Sequence, residues 1–100
     1  MVLINVLDHV EKCYSNDDGK IIYALIKEKF SKNQKVTISF SGITSLNSSF
    51  VNSAFIELLE DYSFDYVRSN LNFINSTRQI NSILKDRFTF EANRKKLALA

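Results

Sequence analysis

The stretch Lys35–Tyr62, KVTISFSGITSLNSSFVNSAFIELLEDY, decides the fold. Val36, Ile38 and Phe40 alternate with Thr37 and Ser39, the period-two pattern of a strand with one well-buried face. Gly42 then supplies a permissive backbone position just past the strand end. Ile43 and Leu46 tuck back over the core, and Thr44, Ser45 and Asn47 are left for solvent or local capping. Ser48 or Ser49 caps a helix whose inner face is Val51, Ala54, Phe55, Leu58 and Tyr62, with Glu57, Glu60 and Asp61 outside. Strand, polar loop and serine-led helix form one unit.

The flanks repeat that unit in part. Val2, Ile4 and Val6 oppose Leu3 and Asn5, which predicts a first strand. Residues 8–14 continue it as a second short strand or as an irregular connection. Ser15-Asn16-Asp17-Asp18 is a helix-start cluster whose carboxylates suit the positive end of a helix dipole. Ile22, Leu25, Ile26 and Phe30 carry that helix to Lys32, and Asn33-Gln34 ends it. Beyond a polar connection through Asp65 and Arg68, Asn70–Ile74 is the third strand, with Leu71 and Phe73 facing inward. Ser76-Thr77-Arg78-Gln79 has the form of a capping box, and Ile80, Ile83 and Leu84 take a third helix to about Asp86. Residues 87–100 make a basic tail or a short terminal helix.

Alternating strands and helices predict an α/β domain. Strands covered on both sides are continuous apolar runs. Here Asn5, Thr37, Ser39 and Asn72 put polar groups on the second face of every strand. The expectation is a small open sheet, mostly parallel, with helices packed on one face and the other at least partly wet.

Composition bounds the function. One hundred residues make one domain, and 45% apolar with 24% charged side chains is ordinary for a globular chain. A net charge of +2 is too small to imply a polyanion partner by itself. Proline is absent and glycine occurs twice, so Asn, Asp and Ser clusters make the turns. The lone Cys13 has no internal disulfide partner, no run is long and apolar enough to cross a bilayer, and MVLINVLDHVEK has no basic leader; the expected location is cytoplasmic. His9 and Cys13 do not make a metal site or a nucleophile–base pair, and two isolated glycines make no phosphate loop. No catalytic residues, metal or cofactor are expected, and the chain is read as a non-enzyme.

The run VTISFSGITSLNSSFVNSAFIELL, with Gly19 entering the first helix and LNFINSTRQINSIL following, resembles the STAS-like family of unknown function. That bacterial and phage group is related to the STAS domains of anti-sigma-factor antagonists and sulfate transporters. The likeness covers roughly residues 15–86, and its most specific pieces are F-S-G-I ending the strand, S-S-F opening the helix and F-I-N on the last strand. It implies a small STAS-like α/β domain over residues 1–86. In the antagonist relatives the equivalent loop carries Asp-Ser-Ser or Asp-Ser-Thr, and the serine is phosphorylated by a partner kinase that is itself the anti-sigma factor. By position Asn47 stands at the aspartate, Ser48 at the phosphorylated serine and Ser49 next, while Phe50 replaces the usual glycine.

The resemblance therefore implies a protein-interaction or regulatory domain. Its partner would be a kinase-like ATPase of the GHKL type or another regulator, docking on Thr44, Asn47, Ser48, Ser49, Asn52 and Ser53. Occurrence of the family in phages leaves a modulator of a host or defence protein equally open. The alternative is a nucleic-acid-binding accessory protein acting through Arg94, Lys95 and Lys96, with Phe88 and Phe90 nearby for stacking. Leu97-Ala98-Leu99-Ala100 would dock on the open sheet face or on a second copy, which leaves a homodimer open.

Overall fold

The computed structural model describes residues 2–99, with side chains described from Val2 to Arg94. Three strands, β1 (Val2–Asn5), β2 (Val36–Ser39) and β3 (Leu71–Ile74), form one sheet in the order β1-β2-β3. Both pairings are parallel, with Val2, Val36 and Leu71 in one row and Ile4, Ile38 and Phe73 in another. Parallel crossovers are right-handed, so two successive crossovers that each step the same way across the sheet lay their helices on the same side. The expected one-sided sheet is what the chain builds.

Four helices cover that side. α1 is Asn16–Ser31, capped by Ser15, whose Oγ accepts from the Asp18 amide at 3.1 Å. It ends with Asn33 in the left-handed region (φ 57), where the Asn33 and Gln34 amides close on the Phe30 and Lys29 carbonyls at 2.9 and 3.1 Å. Asparagine there does the work usually given to glycine. α2 is interrupted: Ser48–Val51, a π-helical turn Asn52–Ile56, then Leu58–Asp61. α3 is Phe64–Asn70 and α4 is Arg78–Leu99.

The π turn answers a packing demand. Ser53, Ala54, Phe55 and Ile56 are buried in succession, which a regular helix with one inner stripe does not allow. The Glu57 amide reaches back to the Asn52 carbonyl at 3.0 Å, the five-residue span of a π turn, and the helix widens there. On one flank α1 presses in at Gly19; a Cβ on Gly19 would stand 2.7 Å from Ser53 Cβ and 2.8 Å from the Phe50 carbonyl oxygen. Toward the sheet Phe55 meets Phe40 and Phe73 edge-on, with centroids 6.3 and 5.1 Å apart. Phe30 of α1 closes the far end against Tyr62 and Tyr66 at 5.2 and 5.3 Å.

The outward rows of the sheet are Leu3–Thr37–Asn72 and Asn5–Ser39–Ile74. Leu3 is 62% exposed, Ile74 41%, and Asn72 is exposed, so this face is open. Thr37 and Ser39 are nevertheless buried, because short side chains on the middle strand lie in the shade of both neighbours.

Residues 8–14 take the irregular connection of the two alternatives: the chain leaves β1 through a 3-10 turn at Val6–Asp8 and plugs Val10 and Cys13 into the core. Three local expectations change. The connection through Asp65 and Arg68 is helical, capped by Ser63 Oγ on the Tyr66 amide at 3.1 Å. The last helix does not stop at Asp86 but runs on to Leu99, because Arg87, Phe88 and Glu91 continue its buried side. Its cap is Thr77, whose Oγ1 accepts from the Ile80 amide at 3.2 Å, while Ser76 donates to Asn81 Oδ1 at 2.6 Å. The side chains of Lys95 to Ala100, and with them the expected docking of Leu97-Ala98-Leu99-Ala100, lie outside the described residues.

Candidate functional site

The loop from Gly42 to Asn47 leaves the C-terminal end of the middle strand, where open α/β sheets present their ligands. Gly42 takes φ 83 to turn the chain, and the Ile43 amide closes on the Phe40 carbonyl at 2.9 Å. Leu46 is buried and anchors the loop from below. Three neighbours fasten it from the sides. Gln79 of α4 pairs with both backbone groups of Leu46: its Oε1 accepts from the amide at 3.4 Å and its Nε2 donates to the carbonyl at 3.3 Å. Thr77 Oγ1 donates to the Thr44 carbonyl at 2.9 Å. Tyr14 and Ser45 share a hydroxyl–hydroxyl bond of 2.6 Å. In a capping box Gln79 would fold back on its own helix; here it holds the loop instead.

Asn47, not Ser48 or Ser49, caps α2. Its Oδ1 accepts from the Phe50 amide at 3.0 Å and its Nδ2 donates to the Tyr14 carbonyl at 2.8 Å. Its own amide donates to the Cys13 carbonyl at 3.2 Å. A carboxylate could accept the first bond but could not donate the second. The 13–14 connection packed beside the cap thus suits an asparagine, which both accepts and donates. Asn47→Asp should cost about 1–2 kcal/mol, seen as a lower urea midpoint at unchanged slope. The deficit should shrink below pH ~4, where a protonated aspartic acid regains a donor.

With the cap assigned to Asn47, Ser48 and Ser49 occupy the first helical positions and both are exposed. Thr44 is also exposed. Asn52 is half-buried, its Oδ1 accepting from Arg87 Nε at 2.8 Å, so it forms the border of the exposed tip. Ser53 is buried under α1 with its hydroxyl donating to Asn16 Oδ1 at 3.0 Å, and it belongs to the packing against Gly19, not to any surface. Arg94 is exposed and 3.8 Å from Glu91, which also pairs with Arg87 at 3.3 Å; the side chains of Lys95 and Lys96 are outside the described residues.

The chain belongs to a STAS-like domain family. The family model, described as a STAS-like domain of unknown function, matches residues 18–81, from the first turn of α1 to the first turn of α4. Comparison with the curated proteins and with the solved structures found no match. The matched span holds Gly19, the whole Gly42–Asn47 loop, α2 and Gln79, while Cys13 and Tyr14, which brace Asn47 and Ser45 of this STAS-like domain, lie just before it.

The ionisable groups near the tip are few. Burial, with the Asp18 carboxylate adding to it, pushes the Cys13 thiol up to about 11. A thiol two units above its usual 9.0 carries about a hundredfold less thiolate at neutral pH. Native Cys13 should therefore resist iodoacetamide at pH 7.5 at least a hundredfold longer than the urea-unfolded chain does, as mass spectrometry of labelled protein would read. At the opposite end of the domain Lys27 holds the Asp61 carboxyl below its usual range at 2.9 Å, with Tyr23 donating a second bond at 3.1 Å. That cluster joins α1 to the end of α2 and is far along the helix from Ser48. Among the described residues there is no group of three or more His, Cys, Asp or Glu side chains placed to hold a metal, and no helix long and apolar enough to cross a membrane.

Proposed function

We propose that this STAS-like domain is a non-enzymatic regulatory module that docks a protein partner on the tip formed by Thr44, Ser48 and Ser49, with Asn52 at its border. One observation carries the reading: the fold spends Asn47 on the cap and leaves two serine hydroxyls exposed at the head of α2. The ties from Gln79, Thr77 and Tyr14 support it, because a loop already fixed loses little freedom when a partner binds. By family likeness the partner is a kinase-like ATPase or another regulator, including a host or defence protein if the chain acts for a mobile element. Ser48 is the modification point in this reading. A phosphate of roughly −1.5 to −2 charge on it makes this uncharged docking surface negative without disturbing the buried Leu46 and Phe50 on either side.

The test is affinity capture from the native host, with mass identification of what is retained. Ser48→Arg should abolish retention of the wild-type partner and Ser48→Asp should weaken it at least tenfold, both with unchanged melting temperature. Lys20→Ala on the exposed side of α1 is the matched control and should retain the partner fully. Full retention by Ser48→Arg would remove the tip from the interface.

A further inference from the structure

A groove at the β3 edge stands apart from the serine-led tip and uses none of its residues. Phe64, Val67 and Arg68 of α3, Leu71 and Phe73 of β3 and Phe88 of α4 enclose a cavity of about 250 Å³. Its walls are set before any ligand arrives. Phe88 stands 6.4 Å from both Phe64 and Phe73, and Phe73 is fixed from behind, 5.1 Å from Phe55 and stacked on Phe40 at 5.9 Å. Val67 and Leu71 form a buried floor. Three phenylalanines left half-buried around one hollow keep apolar area in contact with water that an occupant would remove.

Arg68 gives the groove its chemical preference. Among the described residues it is the single charged side chain of the lining, it is exposed, and it forms no ion pair, although Asp65 precedes it by three positions on the same helix. A guanidinium is a planar fork that matches a carboxylate with two parallel bonds. An apolar neutral molecule would leave that fork unused, and a small inorganic anion would leave the aromatic walls wet. The volume falls below the roughly 300–1,000 Å³ of drug-sized sites, which suits a short acyl chain or one ring.

We propose that this groove binds a small amphiphilic monocarboxylate, its apolar body among Phe64, Phe73 and Phe88 and its carboxylate on Arg68. The probe is octanoate, titrated into the full chain and followed by amide NMR. Saturable shifts are expected at Val67, Leu71, Phe73 and Phe88. Octanamide, the same body without the charge, should bind about three- to tenfold more weakly. Arg68→Gln should weaken octanoate by the same factor, leave octanamide unchanged and melt with the wild-type chain. Absence of shifts at those four residues in millimolar octanoate overturns the assignment. Equal affinity for octanoate and octanamide overturns it as well, since the groove is then merely apolar. Shifts at the same residues on raising protein concentration without any ligand would place a second copy there, and that too defeats it.

Discussion

Gly19→Ala should lower the stability of the domain by about 2 kcal/mol and Gly19→Val should leave it largely unfolded at room temperature. The sign is not obvious from helix propensity, since alanine in a helix interior is worth up to about 1 kcal/mol over glycine. Distances decide it. The added Cβ would meet Ser53 Cβ at 2.7 Å, the Phe50 carbonyl oxygen at 2.8 Å and the Ala54 amide nitrogen at 3.1 Å. Two of those three are backbone atoms of α2, which cannot swing aside as a long side chain would. Relief requires α1 to move off the π turn by several tenths of an ångström, and overpacking of this kind costs about 1–3 kcal/mol. Against the 5–15 kcal/mol that holds a typical domain together, with 1 kcal/mol shifting the melting point by about 4–8 °C at this size, the alanine variant should melt about 8–16 °C lower. Valine adds two methyls toward the same backbone, and its loss should exceed 3 kcal/mol. A wild-type melting curve for Gly19→Ala would show that α1 and α2 do not approach so closely.

Gly19 also shows what the sequence can and cannot convey. Period-two runs at Val36–Phe40 and Leu71–Phe73 gave two strands, and polar residues on their second faces gave an open sheet, because burial acts on each residue through its own strand. Leu46 as a loop anchor was visible as a large apolar side chain among Thr44, Ser45 and Asn47. The π turn was not, since it follows from three neighbours crowding α2 at once, and no window of sequence contains α1, the sheet and α4 together. The assignment of the α2 cap failed similarly. Ser48, Ser49 and Asn47 are all good caps, and the choice falls to Asn47 because the Tyr14 carbonyl, 33 positions away, accepts its second bond. Gln79 looked like half of a capping box until Leu46 offered two backbone partners in its reach. α3 was within reach of the sequence: Ser63 precedes Phe64 and Val67 at helical spacing, with Asp65 in the first turn, but Asp65, Arg68 and Ser69 masked the pattern as a polar connection. Of the tip, Thr44, Ser48 and Ser49 were readable as surface residues, whereas Ser53 was not readable as buried, since its burial depends on the missing side chain of Gly19.

Phe55→Ala should cost about 3–5 kcal/mol, more than any substitution on the open side of the sheet. Phe55 is fully buried at the point where α2 meets the sheet, with three rings around it: Phe40 at 6.3 Å, Phe50 at 6.1 Å and Phe73 at 5.1 Å, all near perpendicular. Removing the ring loses its transfer free energy, leaves a cavity that the rigid π turn closes poorly, and breaks three edge-to-face contacts worth about 0.5–1.5 kcal/mol each where they have been isolated. Chemical denaturation should show the midpoint falling steeply, and Phe55→Leu should recover more than half of the loss by refilling most of the volume. The informative partner is Leu3→Ser. Leu3 is a large apolar residue on a strand, as Phe55 is on a helix, yet it is 62% exposed on the outward row, and its replacement should change stability by less than about 0.5 kcal/mol. The two variants together measure the asymmetry of the sheet directly. A large loss for Leu3→Ser would mean that something packs on the outward face in solution, and the one-sided architecture that leaves the serine-led tip and the β3 groove at the surface would have to be redrawn.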